Sequence, residues 1–539
     1  MSAAPEAGEL RAESPGPARA AAPVGGGERR LRLGRARAIG LEGLRGHLVT
    51  VEASLNDGLP AMTVVGLPDA SVNEARQRIR TALSNSGCAM PATRITVNLS
   101  PGELRKVGTV FDLAIAVAVM AAAGHLHAGA AEATVHLGEL GLDGRLHPVR
   151  GVIAALLAAR EAGIDRAVVP AGNAAEAALV QGMRIRTATS LAEAANIHGA
   201  NLPAPQQPMV SARVPERAPG GPAPADLAAV RGQVQARWAL EVAAAGGHHM
   251  LMIGTPGAGK TLLASALPGI LPPLSEEEAV EVAAVRSLAG VFDPETGLDR
   301  TPPFVAPHHR TSPAAMTGSP RRAGLMAQAH HGVLFMDEAP EFRRDALELL
   351  RQPLESARYS VDRAAESATF PASFQLVMAA NPCPCGKAVG TGIGCECPPM
   401  ARRRYAARLS GPVRDRMDVH LELHPVALKD LQDTRPQEAS ADVAARVRRA
   451  REAQRRRYQG LPWRLNAQAD ASWLRERYAF SPAEIREIDE ALRRGLLSMR
   501  GYDRVVRVAA SIADVAGRER PTREDLLAAL TLRHPEATP

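Results

Sequence analysis

A chain of 539 residues exceeds what one hydrophobic core supports, so two to four domains are expected. Its hydrophobic content of 46% suits globular protein, and its most apolar runs, such as 111–124, are too short and alanine-rich to cross a bilayer. The formal charge of +7 is compatible with a polyanionic partner without identifying one, and a cytoplasmic protein is expected.

Residues 1–34 mix Ala, Pro, Gly, Glu and Arg without an apolar signal core and read as a disordered tail. Residues 35–200 alternate strand-like runs (49–53, 62–65, 94–98) with alanine-rich helical stretches (75–86, 112–123, 152–162), the pattern of an α/β domain. The segment 201–225, rich in Pro, Ala, Gly and Gln, reads as a linker. A second α/β domain is expected over 226–428, with buried parallel strands at 250–253, 333–336 and 375–379. Helices follow over 429–539, where Ser481-Pro482-Ala483-Glu484 has the form of a capping box and Thr522–Asp525 opens another helix in the same way; this region reads as a lid.

The first chemical signal is Gly254-Thr255-Pro256-Gly257-Ala258-Gly259-Lys260-Thr261. A GxxxxGK[ST] loop between strand and helix aims successive backbone N–H groups at phosphate oxygens, so ATP and Mg²⁺ are the expected cofactors. Lysine occurs only at 106, 260, 387 and 429 in this arginine-rich chain, and Lys260 stands where a compact ammonium reaches the β- and γ-phosphates. Thr261 is expected on Mg²⁺. Downstream, Val333–Met336 ends in Asp337 and Glu338, one carboxylate for the metal's water shell and one as general base. Asn381, at the end of a third strand, can orient the attacking water without competing for its proton. Arginines that complete such a site are sought in Arg416, Arg500 and Arg504.

Four of the five cysteines, Cys383, Cys385, Cys395 and Cys397, form CxC-x₉-CxC in a loop with Gly386, Gly390, Gly392 and Gly394. Four thiolates there can close a structural Zn²⁺ site; free thiols or a redox pair are the alternatives.

With these motifs in order, and with Gly246–Thr261, Pro307-His308-His309, His331–Phe342, Pro371–Gly386, Ser410–His420 and Met499–Asp514, the chain resembles the magnesium-chelatase-like AAA+ ATPases of the ComM/YifB family over roughly 35–535. The resemblance implies a ring, expected to be a hexamer, in which Arg416 completes a neighbour's ATP site and Arg500 acts within its own subunit. It further implies a DNA motor that promotes branch migration during integration of transforming DNA, with recombination proteins as further partners. The segment 324–329 departs from the family pattern by lacking a Glu near Leu325.

Residues 100–172 resemble the proteolytic domain of Lon, but Val110 and Ile153 stand where its Ser-Lys dyad would lie, so a platform is expected rather than a protease. Candidate DNA contacts are the strand-turn-strand Tyr359–Phe370 with Arg358 and Arg363, aimed at a pore, and the arginine-rich helix Arg446–Tyr458, which could equally be a solvated face. Backbone contacts by such arginines would give sequence-independent binding to branched or single-stranded DNA. A motor subunit for metal insertion into a tetrapyrrole is the alternative, weakened by the front domain, the cysteines and the lack of a DxSxS metal motif.

Overall fold

The computed structural model describes residues 32–534 apart from 89–90, 204–223, 364–365, 389–393, 428–429, 431, 433–434 and 436. Most of the expected tail and most of the expected linker thus lie outside the described residues, while Leu33 and Gly34, expected at the end of the tail, open the first strand.

The chain enters as a long hairpin, Leu33–Glu42 antiparallel to Arg45–Asn56. Ala36, Ala38, Val49, Val51 and Ala53 are buried at alternate positions, the period-two signature of a half-buried sheet. A mixed seven-stranded sheet forms around it, in the order Ala61–Val65, Arg94–Ser100, Arg45–Asn56, Leu33–Glu42, Val135–His136, Arg166–Pro170, Arg184–Ala188. The helix Asp112–Ala122 is buried along its whole length. It lies so close to the hairpin that a Cβ on Gly34 would stand 2.2 Å from the Ala118 carbonyl oxygen, which only glycine avoids. Val110 is half-buried and Ile153 fully buried, so both positions matched to the dyad carry packing side chains. Thr109 Oγ1 donates to Glu139 Oε2 at 2.5 Å, and the buried Lys106 ammonium donates to the Pro101 carbonyl.

The second sheet is wholly parallel, in the order Phe304–Val305, Val333–Met336, Gln375–Ala380, Met250–Gly254, Val419–Leu423. Every residue of Val333–Met336 and Gln375–Ala380 is buried, as a sheet covered on both faces requires. On one face Met250, Met252, Phe335 and Val377 pack with the helices Val234–Gly246 and Lys260–Ile270 and with the C-terminal helices. On the other, Leu251, Leu334, Met336, Leu376 and Met378 pack with the helix Glu276–Ala289 and the hairpin Arg358–Arg363/Glu366–Pro371.

The expected capping motifs form: Glu484 accepts the Ser481 N–H at 2.7 Å, and Asp525 accepts that of Thr522 at 2.7 Å. The helix Ser440–Arg457 serves packing first. Arg446 pairs with Glu241 and Glu438, Arg451 donates to the Ala244 carbonyl, and Arg457 pairs with Asp514, so only part of its arginine set faces outward.

The hairpin at 358–371 also differs from the expectation of a free projection. Tyr359 and Phe370 are buried, Arg321 bridges Glu366 and Asp69, and a Cβ on Gly43 would meet the Thr369 carbonyl at 2.7 Å. It is docked against the front α/β unit because one face of each strand is apolar and needs cover, while Arg358 and Arg363 stay exposed. The front unit also grips the helix Glu276–Ala289, where Ser287 Oγ donates to Glu176 at 2.7 Å and accepts the Gly151 N–H at 3.1 Å.

Candidate nucleotide site and cysteine cluster

Parallel register brings three strand ends to one edge. Ile253 pairs with Ala380 and Met336 with Met378, so Gly254, Asn381 and Asp337 emerge side by side. Ligands of open parallel sheets bind at this carboxyl edge. Gly257 and Gly259 adopt φ of 81° and 90°, and a Cβ at either would meet nothing within 4 Å, which leaves an open cradle above the loop. The helix Lys260–Ile270 starts directly after it and directs its unpaired N–H groups there.

Within the cradle, the Lys260 ammonium donates to the carbonyls of Gly254 (2.7 Å) and Thr255 (3.0 Å) and to Asn381 Oδ1 (3.1 Å). Burial pulls it below its ordinary pKa, against the nearby carboxylates of Asp337 and Glu338. Thr261 Oγ1 donates to Asp337 Oδ2 at 2.8 Å, so hydroxyl and carboxylate converge as the hard oxygen ligands of a Mg²⁺ ion would. Glu338 holds φ at 51°, left-handed for a non-glycine residue, and its N–H donates to Asp337 Oδ1 at 2.9 Å. Such strain in a strand-end acid is characteristic of functional positions.

One neighbour was missed from sequence. His309 Nδ1 lies 3.1 Å from Glu338 Oε2. The Pro307-His308-His309 motif marked the place, but no spacing rule links position 309 to 338.

The three arginines lie elsewhere. Met250 pairs with Val419, so Arg416, three residues earlier, stands at the amino edge of the sheet. The intervening strand alone spans about 13 Å at 3.3 Å per residue, so Arg416 faces away from its own phosphate loop. It is buried, pairs with Glu355, and donates to the Pro412 carbonyl at 2.7 Å. Burial and the neighbouring guanidinium groups of Arg351, Arg500 and Arg504 hold its pKa below the ordinary arginine value. Arg500 therefore shares the neighbourhood of Arg416. Arg500 lies in the first turn of the helix Met499–Val515, one turn before Arg504. Arg504 pairs with buried Asp418; burial opposes ionisation of that carboxyl, but Arg504 and His248 hold it well below the usual range.

The four clustered cysteines come together although they are separated in sequence. Their ligand atoms all lie within 4.8 Å of one another, a possible metal site. A second group, Glu281 with His330 and His331, has the same compactness. There His330 Nδ1 accepts the Ser373 N–H at 3.1 Å, so a neutral ring carries its proton on Nε2, which donates to Glu281 at 3.1 Å. That tautomer leaves Nε2 no lone pair for a metal. The segment 324–329 contributes buried Met326 and Ala327 to the core, a packing role.

A five-stranded parallel sheet with flanking helices and a glycine-lined loop ahead of a helix defines a mixed α/β protein of the P-loop type. The chain matches the family described as magnesium chelatase, subunit ChlI, over residues 226–431, subunit ChlI of Mg-chelatase over 51–173, and the ChlI C-terminal family over 437–533. It is 44% identical over 506 residues to an uncharacterised protein of Mycobacterium tuberculosis (93% of this chain, 99% of the relative). It is 39% identical to YifB of Escherichia coli over 496 residues and 38% identical to competence protein ComM of Haemophilus influenzae over 500, each covering 91% of this chain and 95% of the relative. The chain belongs to the magnesium-chelatase-like ComM/YifB family and is a ChlI-like AAA+ protein. No helix among the described residues is long and apolar enough to cross a membrane.

Proposed function

We propose that the chain is an ATP-hydrolysing motor subunit that works in a ring, expected to be a hexamer, and acts on DNA to promote branch migration during recombination. The observation that carries the hydrolytic part is the convergence of Lys260, Thr261, Asp337, Glu338 and Asn381 at one sheet edge. Backbone N–H groups of the loop and Lys260 bind the phosphates; Thr261 and Asp337 would hold Mg²⁺, which neutralises phosphate charge when bound. Glu338 takes the proton of the attacking water, His309 fixes the Glu338 carboxylate, and Asn381 orients the water. Arg416, on the opposite edge, serves the site of the adjoining subunit.

The DNA part draws on the likeness to a competence protein and on exposed arginines, Arg358 and Arg363 on the docked hairpin and Arg448, Arg449, Arg455 and Arg456 on the helix Ser440–Arg457. Their contacts would be to the phosphate backbone, so binding is salt-sensitive and blind to sequence. The family description favours a second reading, a motor subunit for metal insertion.

The two readings separate when purified protein is incubated with ATP, Mg²⁺ and a labelled three-way or four-way DNA junction. Resolution of the junction by the natural chain and none by Glu338→Gln is expected. ATP hydrolysis that ignores DNA and leaves junctions intact would sink the DNA reading.

A further inference from the structure

The cysteine cluster lies against the phosphate loop. Cys383 Sγ is 3.3 Å from Cys385 Sγ and 3.7 Å from Cys395 Sγ, and Cys385 Sγ is 3.7 Å from Cys395 Sγ. A tetrahedral ion with Zn–S bonds of about 2.3 Å sets its sulfurs about 3.8 Å apart, so these separations fit one shared ion. They are far longer than a disulfide bond of about 2.05 Å.

The same loop touches the nucleotide site twice. Asn381, which accepts from Lys260, precedes Cys383 by two residues. Gly386 has φ of 76° and closes a turn onto the Cys383 carbonyl; a Cβ there would lie 2.6 Å from Cδ of Pro256 in the phosphate loop. The Cys383–Gly386 turn is therefore seated directly on that loop.

We propose that Cys383, Cys385, Cys395 and Cys397 bind one Zn²⁺-class ion through four thiolates, and that the ion holds Gly386 on Pro256 and so keeps the phosphate loop ready for nucleotide. Binding releases the thiol protons and leaves no open coordination position, so the ion is structural. The coupling rests on the nucleotide reading above; the metal site does not.

The test uses the full reduced chain from zinc-supplemented expression. Elemental analysis, with release by a mercurial followed with a zinc dye, should give about one zinc per chain, the stoichiometry of a four-thiolate site. Cys385→Ser and Cys397→Ser should lose the zinc, and Cys88→Ala should keep it. The zinc-free variants, with circular dichroism unchanged, should bind a fluorescent ATP analogue about tenfold more weakly, the scale of losing a supporting shell. Gly386→Ala should keep zinc and lose nucleotide affinity, since it wedges the turn off Pro256. A zinc-free natural chain, a disulfide between these cysteines in the reduced protein, or zinc retained by both serine variants overturns the site. Full nucleotide affinity in a folded zinc-free variant overturns the coupling. A zinc-loaded natural chain that binds no nucleotide counts instead against the nucleotide reading.

Discussion

Glu338 illustrates how much one side chain depends on neighbours remote in sequence. Its backbone sits in the left-handed region, its N–H is tied to Asp337, and its carboxylate meets His309. Removing Lys260 takes away the ammonium that the loop carbonyls and Asn381 hold in place. Lys260→Ala should therefore abolish nucleotide binding, read by equilibrium titration. His309→Ala should act differently, because His309 touches the carboxylate and not the cradle. Hydrolysis should fall about tenfold, a typical loss for a positioning neighbour, while nucleotide affinity stays within about twofold. Equal losses in both would show that His309 supports the fold of the site.

At the scale of elements, the helix Glu276–Ala289 links the two sheets. Its Ser287 donates to Glu176 of the front unit, and burial pushes the Glu176 carboxyl up to about 7. Since the folded value exceeds the ordinary 4.5, the native chain keeps a proton that the unfolded chain has lost. Stability therefore falls as pH rises from about 4.5 to about 7, by about 3 kcal/mol at most. Glu176→Gln, which retains an acceptor for Ser287, should raise the Tm near pH 8 and flatten its decline from pH 5. An unchanged Tm profile would rule out Glu176 as the source. The elements also show what could be read in advance. Apolar runs such as Val333–Met336 declare themselves as strands because both faces are covered. Leu33–Glu42 gave no such signal: its core face is Ala36 and Ala38, its other face Arg35 and Arg37, and alanine does not distinguish strand from helix. Phe304–Val305 and Val419–Leu423 were missed for shortness and for alternating His420 and Glu422. The phosphate loop was legible because its function needs contiguous backbone. The contact of His309 with Glu338 and the docking of the hairpin depend on how distant segments pack, which local pattern does not record.

For the whole molecule, the decisive feature is that Lys260 and Arg416 occupy opposite edges of one parallel sheet. Arg416→Ala should abolish hydrolysis while sparing nucleotide affinity, and mixing it with Lys260→Ala chains should restore part of the activity. Failure of that mixture to recover, with both variants folded and assembled, would refute a shared centre. A surface that presents a guanidinium at one end and its receptor at the other cannot be satisfied by a two-fold pair, where like meets like. Two chains joined head to tail still carry one orphan donor and one orphan acceptor, and each added chain only moves them apart. With Arg416 serving a neighbour as proposed, closure of a circle would remove both at once and an incomplete assembly would waste one catalytic centre, so turnover per chain should rise with concentration.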